Sequence, residues 1–224
     1  MLPRILIDTA KMPWGGKERR LYQHDKDFMI FAGASELMSS RVHASEDELA
    51  KLTMKNVAGE FQPRVLIGGL GIGFTLRAAL DVLPKKVEVL VAEIVPAVVK
   101  WNQGVLAHLA GNPLADKRVT VCEVDAAELI EEAESGYNAI VLDLDNGPQG
   151  LSLESNDWFY SSKGLKVIAG ALRPKGVLGI WSAGPDAQLT ECLKSAGFSV
   201  EEIRARARPG GKGAHHHLWI ASKR

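Results

Sequence analysis

Apolar and polar positions along this chain fall into three textures. From Arg64 onward, short continuous apolar runs alternate with longer segments whose apolar positions recur every three or four residues. The clearest unit is Arg64–Gly73, reading Arg-Val-Leu-Ile-Gly-Gly-Leu-Gly-Ile-Gly, which predicts a buried strand ending in a tight glycine turn. Phe74 to Leu83 follows with Leu76, Ala79, Leu80 and Leu83 at helical spacing, and Pro84 stops it. The alternation continues as strand Val87–Ala92 and helix Pro96–His108, strand Val119–Cys122 and helix Ala126–Ala133, strand Ala139–Leu142 and helix Trp158–Leu172, then strand Val177–Trp181 and helix Asp186–Ala196. This predicts an α/β fold, a doubly wound and mostly parallel sheet with helices on both faces. The last two extended runs, Phe198–Ile203 and His216–Ala221, have no helix between them and are joined by Arg204–Ala214, so they predict an antiparallel hairpin.

Residues 1–60 read differently. Arg20–His24 and Phe28–Phe31 flank Asp25-Lys26-Asp27, which is hairpin grammar, and a further strand is expected over Glu36–Ser40. Ser45 followed by Glu48 predicts a capping box opening a helix. The expected organisation is a small N-terminal β-hairpin region with a linking helix over 1–60 and a cofactor-binding α/β domain over 61–224.

Bulk properties narrow the function. The 224 residues suffice for a full core without staples. Lys plus Arg and Asp plus Glu both number 27, so no overall field draws nucleic acid or an anionic membrane, and neither is expected as a partner. Cys122 and Cys192 fall in a strand and a helix, there is no signal-peptide layout, and no apolar run approaches the roughly 20 residues that cross a bilayer. A reduced, cytoplasmic protein is expected.

Candidate chemistry follows from where ligands of such sheets bind, beyond the carboxyl ends of the strands. A dinucleotide fingerprint needs glycines at i, i+2 and i+5; counting from Gly69 puts Phe74 at the last position, and from Gly71 puts Leu76 there. The G-x-G-x-G of Gly69, Gly71 and Gly73 suits instead an S-adenosylmethionine-type cofactor, which has no pyrophosphate to cradle. Glu93 closes the second strand of the alternating region, where a carboxylate accepts both ribose hydroxyls, although a solvated acid ahead of Pro96 is the plain alternative. Asp125 is placed to accept the adenine amino group with Ala126 packed on the ring, and would serve equally as a helix N-cap. Asp143 and Asp145 end the fourth strand of the alternating region, within Tyr137–Pro148, where they can hold an amine or take its proton, or form a polar strand end feeding a turn. His215-His216-His217 does not predict a metal site, since consecutive strand residues point to opposite faces. Arg204-Ala-Arg-Ala-Arg208 with Lys212 reads as a solvated hairpin turn.

Tyr137–Pro148, Asn156-Asp-Trp-Phe-Tyr160 and Ala171-Leu-Arg-Pro-Lys-Gly176 together resemble the spermidine synthase (polyamine aminopropyltransferase) family, with its Y-D-V-I-x-x-D-S-S-D-P-x-G-P, T-x-E-F-Y and A-L-x-P-G-G segments in the same order. Gly68–Gly73 resembles its G-G-G-D-G-G loop, Val91–Val95 its V-E-I-D hook and Phe31–Glu36 its L-D-G-x-x-Q hairpin. The likeness spans nearly the whole chain and implies a Rossmann-like, class I methyltransferase type of domain, a sulfonium cofactor and a homodimer.

Departures from the family bear on substrate. Gly71 stands where the family has an Asp near the cofactor's amino end, a group that suits decarboxylated S-adenosylmethionine and repels a carboxylate; without it, S-adenosylmethionine itself fits. The family's Tyr-His-Glu falls on Ser45-Glu46-Asp47, its hairpin Gln on Glu36, and its later Gln on about Trp181. The expected activity is methyl transfer to a small acceptor ahead of aminopropyl transfer to a polyamine, with a non-catalytic nucleoside-binding scaffold as a further alternative. Gly69, Gly71, Gly73, Glu93, Asp125, Ala126 and Asp143 are the expected cofactor contacts, Asp143 the base or amine anchor with Asp145 second, and Gly147–Trp158 a lid.

Overall fold

The computed structural model describes residues 3–13, 15, 17–144 and 156–224. Strands β1 (Ile5–Ala10), β2 (Arg19–His24), β3 (Asp27–Ala32) and β4 (Ser35–Ser39) form an antiparallel meander in that order. Helix α1 (Ala44–Met54) leads into the alternating region: β5 (Arg64–Gly68), α2 (Phe74–Val82), β6 (Glu88–Ala92), α3 (Pro96–Gln103), β7 (Val119–Cys122), α4 (Ala126–Glu131), β8 (Tyr137–Leu142), α5 (Asp157–Tyr160), α6 (Ser162–Ala171), β9 (Leu172–Ser182) and α7 (Ala187–Ser195). The hairpin of β10 (Phe198–Arg208) and β11 (Lys212–Lys223) ends the chain. These strands build one seven-stranded sheet in the order β10-β11-β9-β8-β5-β6-β7, parallel except at the two pairings of β11.

Both faces of this sheet are covered, which is why its central strands read as unbroken apolar runs. Val65, Ile67, Val89 and Val91 pack under Leu49, Met54, Leu76, Ala79 and Val98 of α1, α2 and α3. On the other face, Leu66, Leu90, Ile140 and Leu178 meet Ile130, Leu165, Ile168, Leu189 and Leu193 of α4, α6 and α7. Successive strand residues point to opposite faces, so a single run such as Val65-Leu66-Ile67 serves two cores. The N-terminal sheet is tied to the first of them: Leu21, Phe28 and Ile30 join the same cluster as Val98, and the Trp101 indole N–H donates to Asp8 Oδ2 at 2.7 Å.

Several local expectations are corrected. Strand β1 carries no alternating pattern, because it is an edge strand whose Ile5, Leu6 and Ile7 stay exposed and whose pairing to β2 is bulged between Leu6 and Asp8. The capping box does not form: α1 begins after His43, and Ser45 is buried inside its first turn with its hydroxyl committed elsewhere. The helix from Pro96 ends at Gln103, short of His108. The segment 158–172 is two helices broken at Ser161, whose hydroxyl accepts from the Gly164 N–H at 3.0 Å and caps α6. Arg204, Arg206 and Arg208 lie within β10 rather than in a turn, exposed on the strand face opposite buried Ala205 and Ala207.

Candidate active site

The glycine turn after β5 lies where strand order diverges, with β6 and β7 on one side and β8 and β9 on the other, the position at which open α/β sheets leave a crevice. Gly69 (φ +89°) and Gly71 (φ +54°) adopt conformations that side chains rarely tolerate. A Cβ on Gly69 would collide with the Asp143 carbonyl oxygen, and one on Gly71 would sit 3.0 Å from Met38 Sδ. Both glycines line a cleft at this turn. Gly73 does not line it; at φ +86° it is the N-cap of α2 and faces Asn102 and Pro113.

Glu93 is 7% exposed and lines the same cleft. Its Oε2 accepts the Leu70 N–H at 3.0 Å and its Oε1 the Val95 N–H at 2.8 Å, so the carboxylate ties the glycine loop to the entry of α3. Asp125 also lines the cleft while its Oδ1 accepts the Ala127 N–H at 2.9 Å, so the N-cap and the ligand-facing positions coincide. Ala126, 4% exposed, forms the adjoining wall. Asp143 follows β8, and its Oδ2 accepts from the Thr75 hydroxyl at 2.5 Å. Asp145 and most of the expected lid lie outside the described residues.

A second chamber adjoins the first and shares Leu37, Met38, Gly71 and Asp143 with it. Asp143 therefore stands where the two volumes meet. Its other lining includes Glu36, Glu46, Trp181 and His216. Burial, and then the negative charges of Asp143 and Asp47, push the Glu46 carboxyl well above the usual carboxylate range. Asp47 faces away: despite burial, hydrogen bonds and charge from His43 and Arg77 hold it below its ordinary value. That network, with His43 stacked on Phe74, fixes the first turn of α1 against α2.

The three histidines separate as their alternation predicts: His216 lines the chamber, whereas His215 meets Arg204 and His217 meets Glu202. Sequence reasoning missed Arg19, Met38 and His216 as wall residues. Arg19 is 4% exposed and lines the cleft from β2, and its one legible signal was a charge in phase with buried Leu21.

A crevice at the switch point of this strand order, two connected chambers and a carboxylate at their junction define a class I methyltransferase type of domain. Residues 49–194 match the model of the "Spermine/spermidine synthase domain", and the chain belongs to that family. It is 27% identical over 166 residues to a polyamine aminopropyltransferase of Oceanobacillus iheyensis, covering 73% of this chain and 31% of that protein. It is 30% identical over 157 residues to putrescine N-methyltransferase 3 of Nicotiana tabacum, covering 70% of this chain and 37% of that one. The matched stretch thus spans about a third of these relatives. In fold, the chain superimposes on spermidine synthase of Thermotoga maritima with a TM-score of 0.76 at 15% identity, covering 98% of this chain and 72% of that one. Among the described residues, no helix is long and apolar enough to cross a membrane.

Proposed function

We propose that this chain transfers a methyl group from S-adenosylmethionine to a small amine acceptor. The observation that carries this reading is position 71, where a glycine leaves the methionine end of the cleft without the carboxylate of the family's loop and the Met38 thioether occupies the adjoining space. Gly69 and Gly71 admit the cofactor backbone to backbone, Glu93 takes the ribose hydroxyls, and Asp125 with Ala126 takes the adenine.

When bound, S-adenosylmethionine supplies an electrophilic methyl carbon on a sulfonium. The chain's own task is then alignment and proton control. Asp143, oriented by Thr75, holds the acceptor amine at the chamber junction and takes the proton released as the N–C bond forms and the C–S electron pair leaves to sulfur. Aminopropyl transfer from the decarboxylated cofactor is the second reading, favoured by the likeness to the Oceanobacillus aminopropyltransferase.

Calorimetric titration with both cofactors separates the two. Wild type is expected to bind S-adenosylmethionine at least as tightly as its decarboxylated form; a tenfold preference for the latter overturns methyl transfer. Restoring the acid needs room as well as charge, since Gly71→Asp meets Met38 and strains a positive φ by about 1 kcal/mol. In Gly71→Asp combined with Met38→Ala, like charges about 4 Å apart at an effective dielectric near 20 repel by up to about 4 kcal/mol. The preference is therefore expected to move at least tenfold toward the decarboxylated form.

A further inference from the structure

One wall of the second chamber carries Trp181 and His216, both bonded to Ser45. Trp181 is the penultimate residue of β9, His216 lies on β11, and Ser45 sits in the first turn of α1. The Trp181 indole N–H donates to Ser45 Oγ at 3.0 Å, Ser45 Oγ lies 2.7 Å from His216 Nδ1, and the two rings meet edge to face with centroids 4.6 Å apart. Trp181 stands on the strand next to β8, level with Asp143, and His216 on the strand beyond it, two strand spacings or about 10 Å from β8.

Proton accounting settles which way the relay points. The indole can only donate, so Ser45 Oγ accepts from Trp181. Ser45 is 1% exposed, and His216 Nδ1 is the one acceptor its own hydroxyl proton reaches among the described residues. A buried hydroxyl proton left unpaired would be costly, so Ser45 donates to Nδ1. Nδ1 is thereby an acceptor and the ring proton sits on Nε2. Burial, and after it the neighbouring His217, hold the imidazole below its usual value, which keeps it neutral at pH 7. Nε2 has no protein partner among the described residues and belongs to a side chain lining the chamber.

We propose that the second chamber selects an amine whose far end is a neutral hydrogen-bond-accepting oxygen, a hydroxyl or a carbonyl, read by the His216 Nε2–H, and not the second ammonium of a diamine. An ammonium has only donors to offer, and at this wall it would face another donor. The acids of the chamber stand elsewhere: Glu46 is close enough to Asp143 to feel its charge, and Glu36 is exposed at the rim on β4. This specificity rests on the transferase reading above, with Asp143 holding the reacting amine.

The test uses 5-amino-1-pentanol and 1,5-diaminopentane, each titrated calorimetrically into the full chain loaded with S-adenosylhomocysteine. Wild type is expected to bind the amino alcohol at least fivefold more tightly than the diamine. His216→Ala is expected to abolish that preference, His216→Gln, which keeps an N–H donor, to retain part of it, and His216→Glu to reverse it by tenfold or more toward the diamine. Tighter binding of the diamine by wild type, a preference that survives His216→Ala, or binding of neither probe to a protein that holds S-adenosylhomocysteine overturns the proposal. A diamine preference lost in Glu36→Gln would place the second ammonium at the rim. Failure of wild type to bind S-adenosylhomocysteine at all is a different result and removes the transferase reading itself.

Discussion

Replacing Glu93 by glutamine keeps the side chain's volume but removes one acceptor from a place where the fold uses two. The carboxylate pairs two backbone N–H groups, of Leu70 and of Val95, and both contacts are buried. An amide offers a single oxygen, so one of these N–H groups must face the new NH2. A buried donor left unpaired costs about 1–3 kcal/mol. Taking about 2 kcal/mol, and about 2–4 °C per kcal/mol for a chain of this size, Glu93→Gln lowers Tm by about 4–8 °C. The proposed ribose contact is weakened as well, because its acceptor loses charge: about 1–3 kcal/mol, or about five- to 150-fold in Kd for S-adenosylmethionine. Scanning calorimetry reads the first effect and isothermal titration the second. A Tm within about 1 °C of wild type would refute the hydrogen-bond account. A lowered Tm with unchanged affinity would leave Glu93 as a strut between loop and helix and put the ribose site elsewhere.

Asp143→Asn is expected to leave cofactor affinity within a few-fold while lowering turnover by roughly 10²-fold or more, the range for a positioned proton acceptor; full turnover removes Asp143 from the mechanism. Glu46 makes a pH prediction for the unliganded protein. Its folded pKa is raised, so the stability it contributes is present below the ordinary carboxylate pKa and is lost as pH rises through the raised value. Tm measured across that window is expected to fall more steeply in wild type than in Glu46→Gln, and parallel curves would show that Glu46 ionises without penalty. Gly164→Ala is expected to destabilise the chain by several kcal/mol, because the added methyl would overlap the Trp158 carbonyl oxygen that α5 places against α6; a cooperative unfolding transition at the wild-type Tm would contradict that packing.

The layers of this protein were legible in its sequence because each strand and helix of the α/β region carries its own period. The runs around Val65, Val89 and Ile140 announce buried strands, and Gly69 and Gly71 announce a turn that only small residues can make. Glu93, Asp125 and Asp143 were legible for a related reason: each follows a strand at the carboxyl edge, so local order along the chain places it near the crevice. Elements held by their neighbours were not. Strand β1 exists through its pairing with β2, and the break at Ser161 depends on the contact of Gly164 with Trp158. The walls of the chambers lie further still from anything a local pattern encodes. Ser45 is more than a hundred residues from both Trp181 and His216, and Met38 of the N-terminal sheet reaches Gly71 beyond the end of β5. Periodicity tells a residue which face of its own element it occupies, whereas the partner on that face is chosen only when the sheets and helices pack. The frame of the cleft therefore belonged to the sequence, and the shape and polarity of the second chamber belonged to the tertiary structure.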